Sequence, residues 1–88
     1  MKLNDDFVLR EIAGENLLIP VGEQAARING VIALSPVAVE VWKALKERPE
    51  PDYALEKVLS LFDVSKEVAQ KDIDEFLNQM EEAGICEL

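Results

Sequence analysis

Histidine is missing from this chain, which removes the commonest general base and the commonest metal ligand together. Cysteine occurs once, as Cys86, so no internal disulfide can form, and a thiol nucleophile would lack its usual imidazole base. No apolar run is long enough to span a bilayer, and Lys2 to Arg10 does not read as a signal peptide. With a lone cysteine and no export signal, a reducing cytoplasm is the expected home, with no membrane partner. There is no phosphate-binding loop, internal repeat or low-complexity segment. Asp72-x-Asp74-Glu75 would point its two aspartates well apart on a helix and lacks EF-hand spacing, so neither a metal nor another cofactor is expected. These absences point away from an enzyme.

Basic residues are also scarce. The chain has 9 Lys and Arg against 18 Asp and Glu, a formal net charge of −9. The imbalance is uneven: 11 of the acids follow Pro49, where the only bases are Lys57, Lys66 and Lys71. Such a field repels phosphate backbones, so nucleic acid is not an expected partner. The same charge, read more plainly, aids solubility.

The 88 residues suffice for one small domain with one core, expected to cover 1–88, and 49% of them are hydrophobic, enough to fold. The clearest local signal is VIALSPVAVEVWKAL, Val31 to Leu45. An apolar strand-like run ends at Ser35-Pro36, and a helical pattern carrying the only Trp follows at once. Ser35 suits an N-cap and Pro36 the first helical position, where a missing N–H costs nothing. Before this junction lie strands. Phe7 to Ala13 and Asn16 to Val21 read as a hairpin turning at Gly14-Glu15. Pro20 belongs at an edge or a strand end. Gly22 to Arg27 reads as a loop, and Ile28 to Leu34 as a third strand, bulged at Asn29-Gly30.

After the junction lie three helices. The first runs from Pro36 to about Glu47, with Val37, Val41, Ala44 and Leu45 as its stripe, widened by Ala38 and Trp42. Arg48-Pro49-Glu50-Pro51 breaks it. The second runs from about Pro51 or Asp52 to Phe62, burying Leu55, Val58, Leu59 and Phe62. The third follows Ser65 and ends at Gly84, with Ala69, Ile73, Phe76, Leu77, Met80 and Ala83 inside. Gly84 suits a left-handed C′ position, with Ile85 folding back on Met80. Ile85 to Leu88 reads as a short tail. Cys86 reads as a small apolar contact or a flexible thiol, and Trp42 and Tyr53 as core and core-edge residues.

The expected class is therefore α+β, winged helix-turn-helix-like, with three N-terminal antiparallel β-strands followed by three α-helices. Asp63-Val64-Ser65 has helix-turn-helix length. A winged-helix transcriptional regulator is one reading. The would-be recognition helix argues against it, carrying Glu67, Asp72, Asp74, Glu75, Glu81 and Glu82 against Lys66 and Lys71, with no Arg, Asn or Gln in its first turn.

Three segments carry a resemblance: FVLREIAGENLLIPVG, INGVIALSPVAVEVWKAL and LFDVSKEVAQKDIDEFLNQMEEAGI. They are similar to the PqqD-like family (coenzyme PQQ synthesis protein D-like), the peptide-binding module also called the RiPP recognition element. The matching features are Asn29-Gly30, the apolar strand Val31 to Leu34, the cap Ser35, Trp42, and an acidic last helix with Phe76-Leu77 before a Gly-Ile end. The Pro49 to Pro51 linker and Pro36 depart from the family's usual pattern, both at helix boundaries. The resemblance implies a non-enzymatic adaptor. Its partners would be the leader segment of a ribosomally made precursor peptide and a modifying enzyme, often a radical SAM enzyme. A structural subunit of an enzyme complex is a further reading.

Under the implied function an extended leader adds a strand to an open sheet edge, and its alternate side chains enter a sheet–helix groove. The third strand is the expected edge, through Ile28, Asn29, Val31, Ile32, Ala33 and Leu34. The third helix is the expected wall, through Val68, Asp72, Glu75, Phe76 and Gln79, with the two carboxylates meeting basic leader residues. More plainly, Val68 packs on Val64, the carboxylates are solvated, and Phe76 is core. An unpaired edge also invites homodimer formation.

Overall fold

The computed structural model describes residues 1–27 and 30–87. Two short strands, β1 (Lys2–Leu3) and β5 (Cys86–Glu87), pair antiparallel. Between them run β2 (Phe7–Ile12), β3 (Glu15–Pro20), α1 (Gln24–Arg27), β4 (Ile32–Leu34), α2 (Pro36–Glu47), α3 (Pro51–Leu61) and α4 (Lys66–Glu82). Strands β2, β3 and β4 form an antiparallel sheet in that order, and α2 to α4 pack on one another and share one hydrophobic core with it, the α+β arrangement expected. Among the described residues no helix is long and apolar enough to cross a membrane.

The β2–β3 hairpin pairs Ile12 with Glu15, so its turn residues are Ala13 and Gly14, one position earlier than the Gly14-Glu15 expected. Both take positive φ, 53° and 82°. A two-residue turn of this handedness matches the twist of the flanking strands, and that demand overrides the reluctance of alanine to adopt it. Pro20 closes the central strand opposite Phe7, at a strand end where its missing N–H does least harm.

Register sets the faces of the sheet. Leu9 lies opposite Leu18, and Leu18 opposite Ile32, so one ladder of apolar side chains crosses all three strands toward the helices. Phe7 and Leu34 belong to the same face and are buried, while Ala33 lies on the other face and is exposed. The third strand is shorter than expected. Its regular part is Ile32–Leu34, Val31 precedes it outside the paired register, and Ile28 and Asn29 lie outside the described residues.

The helices begin and end where their caps dictate. Ser35 Oγ accepts from the Ala38 N–H at 3.1 Å, and Ser65 Oγ from the Val68 N–H at 3.2 Å. At the end of α4, the Ile85 N–H donates to Met80 O at 2.8 Å and the Gly84 N–H to Glu81 O at 3.0 Å, with Gly84 at φ 75°. These are the paired bonds of a Schellman ending. The reversal aims Ile85 and Cys86 back into the core, where both are buried.

Four further sequence expectations need correction. Val39 is buried, while Val37 and Ala38 are only half-buried, because the α2 stripe serves a groove as well as the core. Leu59 is exposed and Phe62 half-buried, since α3 buries a narrower face made of Ala54, Leu55 and Val58. The Gly22 to Arg27 loop contains the single turn α1, and the tail after Gly84 forms β5. A two-residue strand has no periodicity to reveal it.

Cys86 is buried, its Sγ lying 3.9 Å from Leu77 O. Burial, and secondarily the charge of Glu81, pushes its thiol pKa up. The folded state therefore holds this proton more tightly than the unfolded chain. Its contribution to stability is intact below the ordinary thiol pKa and is lost as pH rises toward the raised value. This is a packed thiol, not a reactive one.

Two measurements check these assignments. In urea denaturation, Ala13→Asn should raise stability by roughly 0.5–1 kcal/mol, because Asn tolerates the left-handed region, whereas Gly84→Ala should lower it by about 1 kcal/mol. No atom lies within 4 Å of a Cβ built on Gly84, so that cost is purely conformational. A colorimetric disulfide reagent at mildly alkaline pH should modify Cys86 slowly in the native protein and rapidly in urea. Fast native labelling would contradict its packed position.

Candidate functional site

Strand β4 pairs with β3 along one side only, through Leu34 with Asn16, Ala33 with Leu17 and Ile32 with Leu18. It is thus an edge strand, and among the described residues no strand occupies its outer side. The next residue caps α2, so the chain turns from ladder to helix without slack. Directly beside this junction a cavity of about 470 Å³ opens between the β4–α2 corner and α4.

Ten residues line it. Ala33, Leu34 and Ser35 come from the corner, Val37, Ala38 and Val41 from the first turns of α2, and Asp72, Glu75, Phe76 and Gln79 from α4. The α4 residues share a side because they are spaced by three and four in sequence. Val41, Phe76 and Leu34 are buried and form the apolar floor, while Asp72, Glu75 and Gln79 are exposed and form the rim. Helix α4 is held by Ala69, Ile73, Leu77 and Met80 beneath it, so the rim stands on a fixed support.

Of the residues expected from sequence, Ala33, Leu34, Asp72, Glu75, Phe76 and Gln79 come together around this cavity. Ile32 does not border it and packs half-buried against the core. Val31 and Val68 are both about half exposed, at 50% and 49%, and neither lines the cavity. Val68 sits in the first turn of α4, away from the corner. Ile28 and Asn29 lie outside the described residues.

Four lining residues were not anticipated as site residues: Ser35, Val37, Ala38 and Val41. Their signal was present but ascribed elsewhere, to capping and core. The apolar stripe of α2 is wider than the sheet can cover, and that excess width was the available clue.

Charge on α4 is partitioned. Asp74 accepts from Gln70 Nε2 at 2.9 Å on the outer flank, and Asp72 borders the cavity, so the two aspartates face different surroundings. Among the described residues no Lys or Arg lines the cavity, and neither Asp72 nor Glu75 forms an ion pair. The arrangement suits a guest that brings main-chain hydrogen bonds to β4, an apolar side chain to the floor and positive charge to the rim.

Comparison with curated proteins returns no match. Among solved structures, the protein described as "TbiB1 in Complex with the TbiA(beta) Leader Peptide" is similar with a TM-score of 0.76 at 20% sequence identity, over 97% of this chain and 93% of that one. At that identity the likeness is one of fold. The family described as Coenzyme PQQ synthesis protein D (PqqD) matches residues 9–85, which takes in the hairpin, the β4–α2 corner and all three long helices. This chain belongs to the PqqD family.

Proposed function

We propose that this chain is a non-catalytic adaptor. It captures the leader segment of a ribosomally made precursor peptide as an added strand on the outer side of β4, and presents the remainder to a modifying enzyme. The observation that carries this reading is the unpaired edge of β4 running beside a cavity with an apolar floor. A strand edge offers main-chain donors and acceptors to any extended peptide, and the cavity receives every second side chain of the guest.

Two findings support it. The chain belongs to the PqqD family, and it shares its fold with a solved protein whose description includes a leader peptide. In this reading Ile32, Ala33 and Leu34 supply the ladder, and Val31 lies next to it in the chain. Phe76 receives an apolar side chain, with Asp72, Glu75 and Gln79 flanking it and Val68 at the far end of α4. The enzyme that acts on the presented peptide is of the radical SAM class, and the setting is the cytoplasm, where a newly translated precursor is first available. The acidic surface of α4 disfavours the competing role of a DNA-reading helix.

Synthetic leader peptides, taken from short reading frames beside this gene, should shift the backbone amides of Ile32–Leu34, Val37–Val41 and Asp72–Gln79 in a nitrogen-15 NMR titration. N-methylating those guest amides that face β4 should weaken binding about tenfold, since each lost main-chain bond leaves a partner unpaired. Equal affinity for methylated and unmethylated guests would overturn strand addition.

A further inference from the structure

The cavity's apolar floor and acidic rim are set at a fixed spacing along α4. Phe76 forms part of the floor, and Asp72 stands on the rim four residues earlier, about 6 Å along the helix at 1.5 Å per residue. A guest strand presents side chains to one face every second residue, about 6.7 Å apart. For a guest strand that runs alongside α4, the two spacings nearly coincide. Glu75 stands next to Phe76 in sequence and on the same rim as Asp72, but it also borders a shallow hollow on the outer face of α4 together with Lys71. Asp72 borders the groove alone.

We infer that the groove selects peptides in which one large apolar residue and one Lys or Arg are separated by a single residue. The apolar side chain rests against Phe76, Val37 and Val41, and the cation meets Asp72, with Glu75 adding to the field. This inference rests on the strand-addition reading and adds to it the class of guest. The alternation of a strand makes the rule strict in parity. A cation next to the apolar residue falls on the face of the sheet opposite to that of Ile32 and Leu34. Net charge alone would attract any basic peptide regardless of spacing, because the whole chain carries −9. Parity therefore separates a positioned carboxylate from the general field.

The test uses capped Ser/Thr peptides carrying one Leu and one Lys, either adjacent or separated by one residue, plus a version with Glu in place of Lys. Each is titrated into the full chain at low salt and followed by amide shifts. The separated Leu/Lys peptide should bind about fivefold tighter than the adjacent isomer or the Glu version, and the advantage should fade at high salt. Asp72→Asn, at an exposed position that leaves the fold intact, should level the two Lys isomers. If both isomers bind equally and both shift Ile32–Leu34, spacing is not read and this inference falls while strand addition stands. If no peptide shifts Ile32–Leu34 at any spacing, the strand-addition reading falls with it.

Discussion

The architecture turns on the exposed side of β4. A three-residue strand is a weak element by itself, and two neighbours hold it in place. On one side β3 fixes its register through Leu18 opposite Ile32. At its end Ser35 and Pro36 convert the chain to helix within one residue, with the Ser35 hydroxyl satisfying the Ala38 amide. The strand can therefore neither slide nor fray toward its C-terminal end, and its unpaired groups stay on offer to solvent or to a guest. The groove exists because α2 leaves this corner at once and α4 lies across from it.

Helix α4 links core and groove. Its buried stripe of Ala69, Ile73, Leu77 and Met80 anchors it, and the Schellman turn at Gly84 returns Ile85 and Cys86 to the same core. Pairing of β5 with β1, and the Asn4 N–H donated to Ile85 O at 2.8 Å, then tie that end of α4 to the start of the chain. The exposed positions of the helix are in turn free to carry charge. Asp72, Glu75 and Gln79 stand on the groove side and Asp74 on the other, so one helix serves both packing and surface chemistry without conflict. The surfaces around the thiol and around the groove differ accordingly: Cys86 is removed from water, whereas the carboxylates remain in it.

Much of this was legible in the residues. The strand-to-helix junction at Ser35-Pro36, the breaks at Pro49 and Pro51, the cap at Ser65 and the stop at Gly84 each rest on local chemistry that needs no tertiary context, and each lies where expected. The stripe of α4 was equally readable, because five residues at helical spacing admit one interpretation. What escaped was whatever depended on distant partners. Lys2 to Leu3 and Cys86 to Glu87 become strands only through each other. The turn at Ala13 moved by one residue because strand twist, not residue preference, chose it. Leu59 has the spacing of a buried residue, yet it stays 37% exposed because it lies at the margin of the narrow face that α3 buries. For the groove, helical spacing groups Asp72, Glu75 and Gln79 on one flank of α4, the helix that the family resemblance offers as a wall, whereas it assigns Val37, Ala38 and Val41 wholly to the core. A helix stripe read alone does not say which part of it meets another element and which part borders open space.

Proposed capture by strand addition makes one demand that no other mode of binding makes: guest backbone must lie against the backbone of β4. Isotope-filtered NOE spectra of the labelled protein with a bound, unlabelled leader peptide test this directly. The account predicts contacts between guest α- and amide protons and those of Ile32, Ala33 and Leu34, with new protection of the outward-facing β4 amides from hydrogen exchange. A bound guest that contacts only helical side chains, or that pairs along β2, with β4 amides still exchanging freely, would contradict it.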